Sequence, residues 1–284
     1  MNTENTSVRL GRWNMLTVNR TSDYGLYLDG GRLGEILMPR QYVPRGCRPG
    51  DDVEVFVYLD QEERLVATTE TPLAEVGDFA YLRVAWTNQY GAFLHWGLMK
   101  DLFVPFREQK MRMIKDHGYI VYIHVDEQTG RIMASAKVEH FLSSDMPDYR
   151  PGDAVSILVW QKTELGLKAI VDNRYAGLIY DDELFRRIVT GDRLTAYIKQ
   201  VRPDGKIDLT LQRPGMQGVE DFATVLHDRL REAGGTLPFT DKSEADAIYE
   251  AFGVSKKTFK RAIGQLYKQR IIVLDTKGIR LVQD

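Results

Sequence analysis

The stretch Tyr90–Pro105, YGAFLHWGLMKDLFVP, holds four aromatic residues, two glycines and a histidine over two short apolar runs. Side chains of a strand alternate between its two faces. Read as a strand, the first run puts Ala92 and Leu94 on one face and Gly91, Phe93 and His95 on the other. The first face suits a core. The second places an aromatic ring between a residue without a side chain and a polar ring, on a face that need not be core.

The same order of signals occurs three times. DYGLYLDG (Asp23–Gly30), GEILMP (Gly34–Pro39), GDDVEVFVYLD (Gly50–Asp60) and RLVATTE (Arg64–Glu70) form the first set. QYGAFLHW (Gln89–Trp96), KDLFVP (Lys100–Pro105), GYIVYIHVDE (Gly118–Glu127) and RIMASAK (Arg131–Lys137) form the second. LGLKAIVD (Leu165–Asp172), AGLIYDD (Ala176–Asp182), GDRLTAYIKQV (Gly191–Val201) and KIDLTLQ (Lys206–Gln212) form the third. A further strand-like run opens each set: NMLTVNR, YLRVAWT and VSILVWQ. Each unit reads as five short strands rich in Val, Ile, Tyr and Leu, punctuated by Gly, Asp and Asn turns. Five strands in about 70 residues fit a small Greek-key barrel of the OB type.

After LQRPGMQG (Leu211–Gly218) the period becomes helical. Phe222, Val225, Leu226 and Leu230 recur at spacings of three and four. A second helix follows with Ser243 as its expected N-cap, then a third with Ser255 as N-cap. Phe259, Ile263, Leu266 and Tyr267 form the apolar stripe of the third helix. Two β runs around a Thr-Lys-Gly turn close the chain, which gives three helices and a hairpin, the order of a winged helix-turn-helix. The expected fold class is mainly β with a C-terminal α+β domain. The expected divisions are barrels at 1–70, 71–142 and 143–214 and a winged helix at 215–284.

Composition narrows the function. Among 284 residues the net charge is −2, so the overall balance gives no case for a polyanionic partner and only local clustering can. Cys47 is the single cysteine, which excludes an intramolecular disulfide and a cysteine zinc site and suits a reducing cytoplasm. The N-terminus has no apolar signal core, and no run of about 18 apolar residues exists to span a membrane. His95, His117, His124, His140 and His227 are scattered singly, without metal or catalytic spacing. Neither an enzyme nor a cofactor or metal is expected.

The repeat units resemble the RNA-binding S1 domain. In the second unit the resemblance rests on Gly91-Ala92-Phe93-Leu94, Leu102-Phe103-Val104-Pro105 and Arg131-Ile132-Met133-Ala134-Ser135. The position that is often His in the third S1 strand is Pro39, Pro105 and Tyr180 here, and the Phe of the second strand is Tyr27, Phe93 and Lys168. The run Asp241–Ile272, DKSEADAIYEAFGVSKKTFKRAIGQLYKQRII, resembles the terminal winged helix of the bacterial conserved virulence factor B family. That resemblance implies three S1-type domains ahead of one winged helix, in a cytoplasmic protein that binds RNA and influences gene expression, without a known cofactor.

An aromatic side chain on an open β face offers a stacking partner to any unpaired base. Phe93 and Phe103 are the expected stacking residues, with Gly91 leaving clearance, His95 continuing the face, and Tyr27 in the equivalent place of the first unit. Arg83, Arg131 and Lys137 are the expected phosphate contacts. Core packing is the competing reading for each aromatic, and Trp86, Trp96 and Trp160 are read as core or domain interface. From Ser255 to Arg280, Lys256, Lys257, Lys260, Arg261, Lys268, Arg270, Lys277 and Arg280 face one acid, Asp275. The first four occupy the opening turns of the third helix, where a recognition helix meets nucleic acid. The expected partner is single-stranded RNA. Duplex nucleic acid read by the winged helix, and a protein partner docked on it, are the alternatives.

Overall fold

A five-stranded barrel closes only if one strand pairs on both sides of the sheet. In each repeat the opening strand does so, and it is the longest of the five. The computed structural model describes residues 8–184, 187–212, 219–275 and 278–282. The first barrel comprises β1 (Arg12–Ser22), β2 (Gly25–Asp29), β3 (Glu35–Pro39), β4 (Asp52–Leu59) and β5 (Leu65–Thr68). The second comprises β6 (Phe79–Thr87), β7 (Gly91–His95), β8 (Leu102–Pro105), β9 (Gly118–Val125) and β10 (Ile132–Ser135). The third comprises β11 (Ala154–Thr163), β12 (Gly166–Val171), β13 (Tyr175–Tyr180), β14 (Arg193–Val201) and β15 (Ile207–Thr210). Each is closed, with the third and fifth strands parallel and the other pairs antiparallel.

Arg12–Thr17 of β1 pair with β4, and Val18–Ser22 pair with β2. The hand-over carries a β-bulge between Val18 and Arg20, repeated between Val84 and Trp86 and between Val159 and Gln161. A bulge adds one unpaired residue, bends its strand and increases the local twist, as a tight barrel requires.

The second strand of each barrel opens on a glycine for a steric reason. A Cβ on Gly25 would lie 2.0 Å from the Met38 carbonyl oxygen, on Gly91 2.3 Å from that of Val104, and on Gly166 2.0 Å from that of Ile179. These glycines stand opposite Pro39, Pro105 and Tyr180, which end the third strands and cap short 3-10 turns. The next residue, Arg40, Phe106 or Asp181, donates its amide to the carbonyl of Tyr24, Tyr90 or Leu165. The prolines therefore sit where a strand stops, which accounts for the departure from the family pattern at these positions.

The chain divides after Phe141 into two compact units. In the first, β4 is buried on both faces from Val55 to Tyr58. Val53, Val55 and Val57 fill the first barrel, while Phe56 and Tyr58 join the core of the second. Phe56 meets Trp13 and Trp96 edge-on, each at 5.9 Å between ring centres. Lys100 adds a hydrogen bond from Nζ to the Asp60 carbonyl at 2.7 Å.

The second unit holds the third barrel and the winged helix. The latter comprises α1 (Val219–Glu232), β16 (Thr236–Leu237), α2 (Ala245–Phe252), α3 (Lys256–Lys268), β17 (Ile272–Leu274) and β18 (Ile279–Leu281). Phe222, Leu226, Leu230, Phe259, Ile263 and Leu266 are buried together, as their spacing predicts. Ser255 caps α3, its Oγ accepting from the Thr258 amide at 3.0 Å. Three details differ from the sequence reading. The wing is a three-stranded sheet, because β16, too short to show a period, pairs with β18. Ser243 does not cap α2: its hydroxyl closes a turn by accepting from the Thr240 amide, and α2 starts two residues later. Tyr267 is 54% exposed rather than on the apolar stripe, because it follows Leu266 by about 100° around the helix. Residues 213–218 of the expected linker Leu211–Gly218, and Lys277, lie outside the described residues.

Two substitutions check this account. Gly166→Ala should destabilise the chain by about 2 kcal/mol or more, because its φ of +146° and the Ile179 carbonyl both exclude a methyl. Phe56→Ala should cost about 3–5 kcal/mol, as for a fully buried aromatic. The second loss should appear in both barrels of the first unit when amide exchange is followed by mass spectrometry.

Candidate nucleic-acid interface

The bulge in β6 determines which rings face outward. Before it, Ala80, Leu82 and Val84 point into the second barrel and Tyr81 and Arg83 point out. Simple alternation would return Trp86 to the core. The extra residue, Ala85, reverses the phase, and Trp86 lies 44% exposed. The reading of Trp86 as core or interface is therefore corrected, whereas Trp96 and Trp160 are buried.

Trp86 stands opposite Phe93, and Phe93 opposite Phe103. The Trp86 and Phe93 rings are parallel, 3.7 Å apart and 4° from coplanar. Phe93 and Phe103 lie 4.9 Å apart with a 35° tilt. The three rings make one ladder across β6, β7 and β8. One face of Phe93 is covered by the indole, so Phe93 supports the ladder and Trp86 offers the outer face. The Trp86 indole N–H donates to Asp101 Oδ2 at 2.9 Å, which fixes the ring. Gly91 does not leave clearance for a base: a Cβ there would lie 2.8 Å from the Phe103 ring, so that ring occupies the space.

The remaining expected residues lie around this ladder. His95 continues the outward face of β7, exposed, with Nδ1 4.0 Å from Asp101 Oδ1. Arg83 is opposite His95, exposed and without an ion pair among the described residues. Arg131, at the same end of the sheet, is engaged by Glu63 at 2.5 Å, which competes with any phosphate for it. Lys137, half-buried, follows β10 at the Pro105 end. Beyond Pro105 the Arg112 guanidinium lies 3.4 Å from the centre of the Phe106 ring, a stacked cation that no local pattern marks.

The same three positions in the other barrels carry different chemistry. In the first barrel they are Arg20, Tyr27 and Leu37. The Arg20 guanidinium covers the Tyr27 ring at 3.8 Å and pairs with Glu35 at 2.7 Å. Its hydrogen bond to Glu35 raises the pKa of Arg20, and the same bond holds the Glu35 carboxyl below its ordinary value. Tyr27 is thus a ring already capped from within. In the third barrel the positions are Gln161, Lys168 and Leu178, and Lys168 leans over the buried Trp160 at 5.3 Å. Beside Leu178 stands the buried Asp208, held by Arg202 at 2.7 Å and Gln200 at 2.6 Å. Burial pushes the Asp208 pKa up, but these hydrogen bonds outweigh it and hold the carboxyl below the ordinary range.

On α3, Lys257, Lys260, Arg261 and Lys268 are exposed, as is Arg270 just beyond it. Lys256 is half-buried, with Nζ 3.4 Å from the Lys242 carbonyl. None of these six forms an ion pair among the described residues, and α3 contains no acid. No helix among the described residues is long and apolar enough to cross a membrane.

Comparison with known proteins agrees with this architecture. An S1 domain family model matches residues 10–70, the first barrel, and a CvfB-like winged helix domain model matches residues 224–281. The Bacillus subtilis protein YitL is 29% identical over 94% of this chain and 92% of its own length. Conserved virulence factor B of Staphylococcus epidermidis is 27% identical over 82% of this chain and 81% of its own. A multidomain protein with nucleic acid binding domains from Streptococcus pneumoniae aligns over 96% of this chain and 98% of its own, at 22% identity and a TM-score of 0.42. With an S1 domain match at one end, a CvfB-like winged helix match at the other and 27% sequence identity to the Staphylococcus epidermidis protein over 82% of its length, the chain is similar to the conserved virulence factor B proteins.

Proposed function

We propose that the protein binds single-stranded RNA without catalysing a reaction, and regulates gene expression through that binding. The observation that carries the reading is the outward ladder of Trp86, Phe93 and Phe103. Three stacked rings at a barrel surface contribute little to the core, yet they match the π-face of an unpaired base. Base–aromatic stacking is worth about 1–3 kcal/mol per base and tolerates any sequence. A duplex hides those faces, which favours single strands for this surface. Arg83, Lys137 and Arg112 surround the ladder with cations for the phosphates. The exposed cations of α3 add a second, sequence-blind attraction on the same chain, and two weak sites joined covalently gain affinity through effective concentration.

Fluorescence anisotropy with labelled single-stranded RNA, single-stranded DNA and duplex DNA tests the reading. Trp86→Ala, which removes an exposed ring, should lose about 1–3 kcal/mol of affinity for single-stranded RNA. Phe93→Ala should lose as much or more, because the indole loses its support. Preference for the duplex, with both variants neutral, would overturn this reading in favour of a DNA-binding regulator acting through the winged helix. For the helix, the Lys257→Ala, Lys260→Ala double variant should lower the slope of log affinity against log salt by about 1.4 on single strands, at about 0.7 per phosphate released.

A further inference from the structure

Gly264 lies inside α3, four residues before its last residue and eight after its first. Glycine is the least favourable helix residue after proline, because its backbone loses the most freedom on ordering. What it offers in return is a bare backbone that another group can approach more closely than a Cβ would allow. Among the described residues nothing does so here: a Cβ built on Gly264 meets no atom within 4 Å. The contrast with Gly25, Gly91 and Gly166 is direct, since each of those has a carbonyl oxygen within 2.3 Å of the position.

Its neighbours on the helix surface are distinctive. Residues three and four apart share a face, so Lys260, Arg261, Tyr267 and Lys268 surround Gly264. All four are exposed, and the three cations form no ion pair among the described residues. Helical side chains lean toward the N-terminus, so Lys268 and Tyr267 project over the turn that contains Gly264. The opposite side of α3, with Phe259, Ala262, Ile263 and Leu266, is sealed in the core. The result is a shallow notch in the backbone, ringed by three positive charges and one aromatic edge.

We infer that Gly264 is the seat of a phosphodiester group, where a nucleic-acid backbone lies against the bare helix and is held by Lys260, Arg261 and Lys268. Charge complementarity selects a polyanion, and the missing Cβ lets it come within reach of all three cations at once. The inference rests on the nucleic-acid reading of α3, and deepens it by naming the contact point and its geometry.

Stability and binding are expected to move in opposite directions. In the full chain, Gly264→Ala should raise the melting temperature followed by helical circular dichroism by about 4 °C, because α1, α2 and α3 are the α-helices described. Gly264→Gln, also a better helix former, should stabilise in the same direction. Both should bind labelled RNA more weakly, Gly264→Gln by about tenfold, the loss of one charge-assisted phosphate contact, with a shallower salt slope. Running single-stranded and duplex RNA in parallel identifies which backbone uses the seat, and a loss on either supports the inference. Stabilised variants that bind both as wild type overturn it, while a salt-slope change in the Lys257, Lys260 double variant leaves the function proposed above standing. Variants that melt lower than wild type also overturn it, since the glycine then answers an internal packing need. No effect of the double variant removes the reading of α3 and this inference together.

Discussion

Every barrel in this chain depends on a first strand that pairs with two partners, and that strand can turn the corner only by bulging. The added residue costs one pairing position and gives the twist that closure needs. It also reverses the phase of the side chains that follow. Arg20, Trp86 and Gln161 face outward for this one reason. The candidate interface is therefore a by-product of barrel closure: the distortion that completes the fold delivers a side chain to the open sheet, opposite the second strand and in line with the third.

Three copies of one backbone then hold three different contents. The positions opposite one another on the first three strands read Arg20-Tyr27-Leu37, Trp86-Phe93-Phe103 and Gln161-Lys168-Leu178. The barrel tolerates this because the outward face adds little to stability, while the inward face repeats Val, Leu and Ile. In the first copy the ring is covered by an arginine that Glu35 restrains. In the third the same surface is polar, beside a carboxylate pinned by Arg202. The second copy carries three rings in contact, and its uncapped indole distinguishes it.

The winged helix adds a different kind of attraction. A net charge of −2 conceals a helix with five cations and no acid. The four cations in the opening turns do not help the helix's own stability, since cations near its N-terminus oppose the backbone dipole, and only Lys268 sits at the favourable end. Lys257, Lys260, Arg261 and Lys268 are exposed and form no ion pair among the described residues, so their charge acts on the surroundings. In the proposed function, aromatic stacking on one unit and charge on the other would be complementary: the first would need unpaired bases, and the second only a backbone.

Much of this was legible in the residues alone. The three repeats, the closed barrels, the helix stripe of Phe259, Ile263 and Leu266, the Ser255 cap and the outward face of Gly91, Phe93 and His95 follow from local periodicity and turn chemistry, which act between near neighbours in the chain. The ladder does not follow so simply. As a large aromatic Trp86 reads as core or domain interface, and only pairing with β7 and β9 at once forces the bulge that turns it out. Gly91 has its meaning from Val104 and Phe103 on the next strand. Arg131 is taken by Glu63 and Arg20 by Glu35, partners distant in sequence. The sequence by itself determined which segments become strands and helices and which faces are apolar, because those depend on periodicity. Only the tertiary structure decided which ring is covered, which is free and which cation is already spent, because those depend on register between strands and on contacts that no local pattern encodes.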